Sequence, residues 1–197
     1  MQTKFILLRH GPPIISKGAI YGESDVSISP FLLTDLPKGI RNGDLKDSIW
    51  ISSPLSRARA TALRIRDLLK YETELLLDPR LKEQHYGELE GVDSLGLDLS
   101  FANRRSYWHF PADYTPVGGE SFCQVYERAE SFIRDSLIAY SDKTISIFTH
   151  GGFIRAVLTH VLRLDIEQAS VFDISPLSET IIQYKKNNWY IQCVGGK

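Results

Sequence analysis

The sequence predicts an α/β fold, a three-layer α/β/α sandwich with a mainly parallel central sheet and a small cap-like excursion. Two observations carry that prediction. Short apolar runs alternate with helically spaced apolar residues along the chain. Three of those runs stop abruptly at His or Arg beside small residues, as neighbouring parallel strands do where they share one edge. Size agrees: 197 residues, 43% hydrophobic and 24% charged, is ordinary globular usage. That length points to a single domain over 1–197, burying roughly 70% of its unfolded surface.

Phe5–Leu8 is the first expected strand, an apolar run that ends at Arg9. Ser24–Ser48 contains Pro30, Pro37, Gly39 and Gly43, so any helix there is short or broken. Ile49–Ser52 is the second strand. Behind it Ser53 is placed to cap a helix with Pro54 at its first position. Leu55, Ala58, Ala62, Ile65 and Leu69 then repeat at helical spacing, with Arg57, Arg59, Arg64 and Arg66 mostly off that stripe. Glu74–Leu77 is the third strand. Residues 92–117, with Phe101, Tyr107, Trp108, Phe110 and Tyr114 around Arg104 and Arg105, read as a cap or irregular excursion. After Gly118 and Gly119, Ser121 and Gln124 make a capping box. The helix it opens carries Phe122, Val125, Tyr126, Ala129, Phe132 and Ile133 on one face. Thr144–Phe148 is the fourth strand, and Gly152–Leu162 a mostly apolar helix packed on the sheet. Thr180–Tyr184 and Trp189–Cys193 flank the polar turn Lys185–Asn188 and read as a hairpin.

Charge and composition exclude several function classes. Lys and Arg total 23 against 24 Asp and Glu, a net charge of −1, which offers no global field for nucleic acid or an anionic membrane. No apolar run approaches the roughly 18 residues that span a bilayer. Four apolar residues before Arg9 are too few for a signal-peptide core. Cys123 and Cys193 form neither metal-like spacing nor a disulfide framework. A soluble, cytoplasmic protein is expected.

The chemistry sits at the strand ends. Leu8-Arg9-His10-Gly11 presents a guanidinium and an imidazole beside a residue with no side chain. Ser53-Pro54-Leu55-Ser56-Arg57 puts Arg57 in the first turn of a helix, where the dipole disfavours a cation unless an anion lies nearby. Thr149-His150-Gly151-Gly152 repeats the His-Gly pattern at the mouth of the next helix. Each alone is commonplace: an arginine on a wet face, a satisfied buried histidine. Together at one edge they make a cationic cradle. Arginine matches phosphate oxygens bidentately, and neutral imidazole is a nucleophile. Flanking guanidiniums lower a histidine's pKa, keeping such an imidazole neutral near pH 7. Glu83, after the third strand, is the candidate general acid.

In order, Leu8–Gly11, Ser53–Ala62, Leu81–Gly91 and Thr149–Gly152 resemble the four signature segments of the histidine phosphatase (phosphoglycerate mutase-like) superfamily, a match running from residue 5 to about 160. The resemblance implies that His10 becomes phosphohistidine, that Arg9, Arg57 and His150 clamp the phosphoryl oxygens, and that Glu83 protonates the leaving oxygen. It implies a small phosphorylated metabolite as substrate and neither metal nor other cofactor. Lys17–Val26 and Gly118–Phe122 are similar to segments of the alpha-ribazole phosphatase group of cobalamin nucleotide-loop assembly. Pro12-Pro13 departs from the Glu-Thr common after the Arg-His-Gly motif, which bears on the substrate more than on the phosphohistidine chemistry.

A phosphoglycerate or phosphosugar mutase is the first rival. Mutases of the family tend to carry a larger insertion between the acid and the second His segment, whereas Glu83 and His150 stand only 67 positions apart. A phosphoester-binding module without turnover is the second, and all five catalytic-type residues being present speaks against it. A metallohydrolase lacks two histidines at i, i+4; His85, His109 and His160 read as structural or surface residues.

Overall fold

A computed structural model describes residues 2–16, 18–93 and 110–197. Six strands form one sheet: β1 (Gln2–Arg9), β2 (Ile49–Ser52), β3 (Leu75–Leu77), β4 (Thr144–Thr149), β5 (Glu179–Lys185) and β6 (Asn188–Gly196). Their order is β3-β2-β4-β1-β5-β6. The first four run parallel, while β5 and β6 are antiparallel additions at one edge. The hairpin forms as the sequence predicts, with Lys186 and Asn187 both at positive φ (50° and 60°), the backbone a two-residue turn between twisted strands requires.

Strand alternation builds the three layers. Phe5, Leu7, Ile51, Ile145 and Ile147 face one side, where they meet α3 (Phe122–Ala139) and α4 (Gly151–Leu162). Ile6, Leu8, Trp50 and Phe148 face the other, against α1 (Lys38–Arg41) and α2 (Ser56–Leu69). The central strands β1, β2 and β4 thus carry apolar residues on both faces, as strands covered on both sides demand. The capping box of α3 is present: Ser121 Oγ accepts from Gln124 N at 3.3 Å and Gln124 Oε1 from Ser121 N at 2.8 Å. The stretch before β2 is broken as expected, into a 3₁₀ turn (Leu33–Asp35) and the four-residue α1.

Two expectations change. The helix after β2 starts at Ser56, with Leu55 in extended geometry at its N-cap, rather than at Pro54. Ser53 Oγ accepts from Leu55 N at 3.3 Å, ahead of the helix rather than as its N-cap, and lies 2.9 Å from His150 Nε2. Arg57, on the face expected to be wet, is fully buried. The cap expected over 92–117 falls largely on residues 94–109, including Arg104, Arg105 and His109, and these lie outside the described residues. Its remainder places Phe110 against Tyr114 as stacked rings 4.7 Å apart. Among the described residues, no helix is long and apolar enough to cross a membrane.

The segment after β3 is pinned to the turn before α3. Glu88 N donates to Val117 O at 3.0 Å and Glu120 N to His85 O at 2.8 Å. Gly87 makes this approach possible: its φ is +55°, and a β-carbon there would stand 2.0 Å from Val117 O. Gly87→Ala is therefore expected to destabilise the protein by more than about 1 kcal/mol, read as a lowered urea midpoint. An unchanged midpoint would mean the two backbones can separate freely.

Candidate active site

Because β2, β4 and β1 are adjacent and parallel, their carboxyl ends deliver Ser53, His150 and His10 to one place. His10 N donates to Thr149 O and Ser53 N to Phe148 O, both at 2.9 Å. The two imidazoles lie 5.1 Å apart between centroids. A third element, α2, contributes Arg57, and Thr61 one turn later ties it to β1. Thr61 Oγ1 accepts from Gly11 N at 2.8 Å and donates to Arg57 O at 2.7 Å.

His10 is fully buried. Its Nδ1 lies 2.7 Å from Gly11 O, and a carbonyl only accepts, so Nδ1 carries the hydrogen. Nε2 then presents a lone pair, buried and without a hydrogen-bond partner among the described residues. Burial is the main cause of a pKa well below the usual histidine range, reinforced by Arg9 and Arg57 and partly offset by the Gly11 bond. The guanidiniums, expected from the sequence to set this shift, are the smaller effect; desolvation is the larger.

His150 takes the opposite tautomer. Arg57 Nε donates to its Nδ1 at 3.2 Å, so the hydrogen sits on Nε2 and is offered to Ser53 Oγ. Burial and then Arg57 hold its pKa low as well. Arg57 Nη1 and Nη2 donate to the carbonyls of Ser24 and Gly22. Its guanidinium also packs 4.9 Å from the ring centre of Tyr21. Tyr21 covers the cradle, its ring edge-on to His10 at 6.3 Å and its hydroxyl 3.3 Å from Arg9 Nη2. Arg9 Nη1 donates to Ile174 O at 2.5 Å, while Nε is buried without a hydrogen-bond partner among the described residues.

Glu83 meets this group at the N-terminus of α4, where an exposed amide and the helix dipole favour a carboxylate. Gly152 N donates to its Oε1 at 3.0 Å, and Gln84 N to the same oxygen at 3.1 Å. Arg128 on α3 orients the segment from behind, donating to the carbonyls of Arg80 and Lys82 (both 2.6 Å) and Glu83 (3.1 Å). Glu120 pairs with the same guanidinium at 2.8 Å. All five predicted residues, Arg9, His10, Arg57, Glu83 and His150, are thereby brought to one end of the sheet.

A cavity of about 540 Å³ opens beside them, lined in part by Arg9, Tyr21, Glu83, Gly152, Arg155 and Asp173. Sequence reasoning missed Ser53 as a partner of His150, and also Thr61, Arg128 and Arg155. Arg155 carried a usable signal, since it stands four residues after Gly151 on the same helix face. Arg128 carried none, because the three carbonyls it holds lie 45 to 48 positions away in the chain.

Comparison with known proteins identifies the family and the fold. The family model described as the histidine phosphatase superfamily (branch 1) matches residues 5–196. A glucosyl-3-phosphoglycerate phosphatase of Mycolicibacterium vanbaalenii is 26% identical over 176 residues, covering 83% of this chain and 76% of its own. A metal-independent phosphoserine phosphatase of Arabidopsis thaliana is 25% identical, covering 96% and 79%. A 2,3-bisphosphoglycerate-dependent phosphoglycerate mutase of Nitratidesulfovibrio vulgaris is 28% identical, covering 88% and 82%. Among solved structures, a mycobacterial glucosyl-3-phosphoglycerate phosphatase superposes with a TM-score of 0.82 at 21% identity, covering all of both chains. An Escherichia coli K-12 protein provisionally named an alpha-ribazole-5'-P phosphatase gives 0.78 at 18%, covering 98% of this chain and 95% of its own. At those identities the structures share the fold. With the family model spanning nearly its whole length, the chain belongs to the histidine phosphatase superfamily, branch 1, and is a phosphatase of that superfamily.

Proposed function

We propose that this phosphatase hydrolyses small phosphomonoesters through a phosphohistidine formed on His10. The observation that carries the reading is the state of His10: Nδ1–H committed to Gly11, and a buried Nε2 lone pair between two guanidiniums. Substrate phosphate sits among Arg9, Arg57 and His150. Nε2 attacks phosphorus in line, the N–P bond forming as the ester P–O bond breaks, and Glu83 delivers its proton to the leaving oxygen. Water then attacks the phosphohistidine while Glu83 takes a proton back, so the N–P bond breaks and releases inorganic phosphate. Positioning and charge stabilisation supply most of the rate, as in phosphoryl transfer generally.

The phosphoglycerate mutase relative supports the second reading, return of the phosphoryl group to another hydroxyl. The short span from Glu83 to His150 argues for water as acceptor. A turnover screen with 3-phosphoglycerate, glucosyl-3-phosphoglycerate, phosphoserine and alpha-ribazole 5'-phosphate, with and without an added alcohol, tests both. Inorganic phosphate from at least one ester is the expected product. Phosphoryl group found only on the alcohol would favour the mutase, and turnover of none would remove the proposal.

Activity should also survive exhaustive chelation, because Arg9 and Arg57 supply the positive charge that a metal ion otherwise gives. A loss of more than about tenfold in rate with EDTA, restored by a divalent ion, would refute this mechanism.

A further inference from the structure

We propose that the Tyr21 side chain is a gate between the cavity and the phosphate cradle, one that must swing aside for a phosphoester to reach His10. The inference rests on the phosphomonoesterase reading for what passes, and adds the residue that controls access to the nucleophile. Three members of the cradle, His10, Arg57 and His150, are fully buried. None of them lines the cavity of about 540 Å³, whereas Arg9, Glu83 and Tyr21 do. Tyr21 belongs to both places. Its half-buried side chain forms part of the cavity wall, and the same ring stands edge-on to His10 at 6.3 Å and 4.9 Å from the Arg57 guanidinium carbon. Its hydroxyl is 3.3 Å from Arg9 Nη2. Arg9 Nε and His10 Nε2 are buried without a hydrogen-bond partner among the described residues. A phosphoryl group held by Arg9 for attack by Nε2 would meet both atoms, but from the cavity it has to pass the ring.

The backbone around Tyr21 is fastened on either side, so the movable part is the side chain and not the loop. Ile20 N donates to Val92 O at 3.0 Å, and Gly91 N to Ile20 O at 2.7 Å. Beyond Tyr21, the carbonyls of Gly22 and Ser24 accept from Arg57. Glu90 accepts from Glu23 N at 2.8 Å and from the Ser24 hydroxyl. Gly22 packs so closely on that carboxylate, at a φ of +38°, that a β-carbon there would run into Glu90 Oε1. The ring is held less firmly, by one edge contact, one cation–π contact and one long hydrogen bond. Each is worth about one order of magnitude in population. The cavity beside it is space into which a rotated ring can move. Phosphate oxygens would then replace the hydroxyl at Arg9 and the ring face at Arg57. Ring and phosphate compete for the same two guanidiniums, so the open fraction scales the apparent affinity.

Diethyl pyrocarbonate acylates an imidazole nitrogen that has a free lone pair, and so reads the gate directly. Rates at each histidine are followed by peptide mass mapping in wild type, Tyr21→Phe and Tyr21→Ala. His85, with a side chain 42% exposed, is the reference. His150 is the control for folding, since its Nδ1 is taken by Arg57 and its Nε2–H faces Ser53. The rate ratio of His10 to His85 should be low in wild type and rise about 10-fold or more in Tyr21→Ala, with His150 unmodified. Tyr21→Phe should rise less, because the ring stays and only the hydroxyl is lost. Inorganic phosphate should slow His10 acylation again in the alanine variant. A wild-type His10 as reactive as His85, a His150 accelerated together with His10, or no protection by phosphate would each overturn the gate. Hydrolysis of p-nitrophenyl phosphate separates this from the phosphatase reading. If it depends on His10 while the acylation test fails, that reading stands and the gate falls. If acylation is gated but no His10-dependent hydrolysis occurs, the gate stands and the phosphatase reading falls.

Discussion

His10→Ala is expected to lower turnover of every phosphomonoester by about 10⁴-fold or more, the scale of losses when a covalent nucleophile is removed. No other described side chain in the cradle can replace it. The ring of His150 has its Nδ1 occupied by Arg57 and its Nε2–H directed at Ser53. Rapid denaturation of wild type during turnover should trap phosphate that is labile to acid and stable to base, and the variant should trap none. Equal trapping on both proteins would sink the assignment. The strand-end position suggests a side chain outside the core, yet the imidazole is fully buried, so the substitution leaves a cavity. Against that cost, it removes a buried nitrogen without a hydrogen-bond partner among the described residues and relieves the crowding of polar groups between guanidiniums. The net stability change should stay within about 1 kcal/mol, a shift of roughly 2–4 °C in Tm, so the lost activity can be read as chemistry.

Glu83→Gln is expected to slow alkyl phosphates by about 10²- to 10⁴-fold, the usual contribution of a general acid. The substitution is close to isosteric. A glutamine carbonyl can keep accepting from Gly152 N and Gln84 N, and only the transferable proton is lost. An alkyl ester departs as a strongly basic alkoxide, whereas p-nitrophenolate leaves without protonation. The loss on p-nitrophenyl phosphate should therefore be much smaller, measured in single turnover so that phosphorylation is isolated from hydrolysis of the phosphohistidine. Equal losses on both would assign Glu83 a positioning role. The neighbouring carboxylates would not then be ready substitutes. Glu90 holds the covering loop through Glu23 N at 2.8 Å, Tyr86 N at 3.1 Å and the Ser24 hydroxyl, and Glu88 is exposed.

The layered sheet was legible because its signals are local. The expected bounds of β2 match those observed, and the Ser121–Gln124 box lies within four residues, so nothing distant had to be known. The same holds for the site: each of His10, Arg57 and His150 sits at a strand end or in the helix turn that follows, and parallel strands leave their carboxyl ends no choice but to meet. The start of α2 differs from the expectation by two residues: Ser53 Oγ takes Leu55 N, Leu55 stays extended, and the same hydroxyl meets a histidine 97 positions away, which no local pattern could show.

By itself the sequence determined which elements form, which residues gather at the sheet edge and what chemistry those residue types support, since hydrophobic period and motif spacing act over a few residues. Only the tertiary structure decided the tautomers of His10 and His150, the burial of Arg57, the cover of Tyr21, the bracing of Glu83 by Arg128 and the place of Arg155 in the cavity wall. Each depends on hydrogen bonds and desolvation between residues far apart in the chain. Those quantities exist only once the three layers have closed around the site.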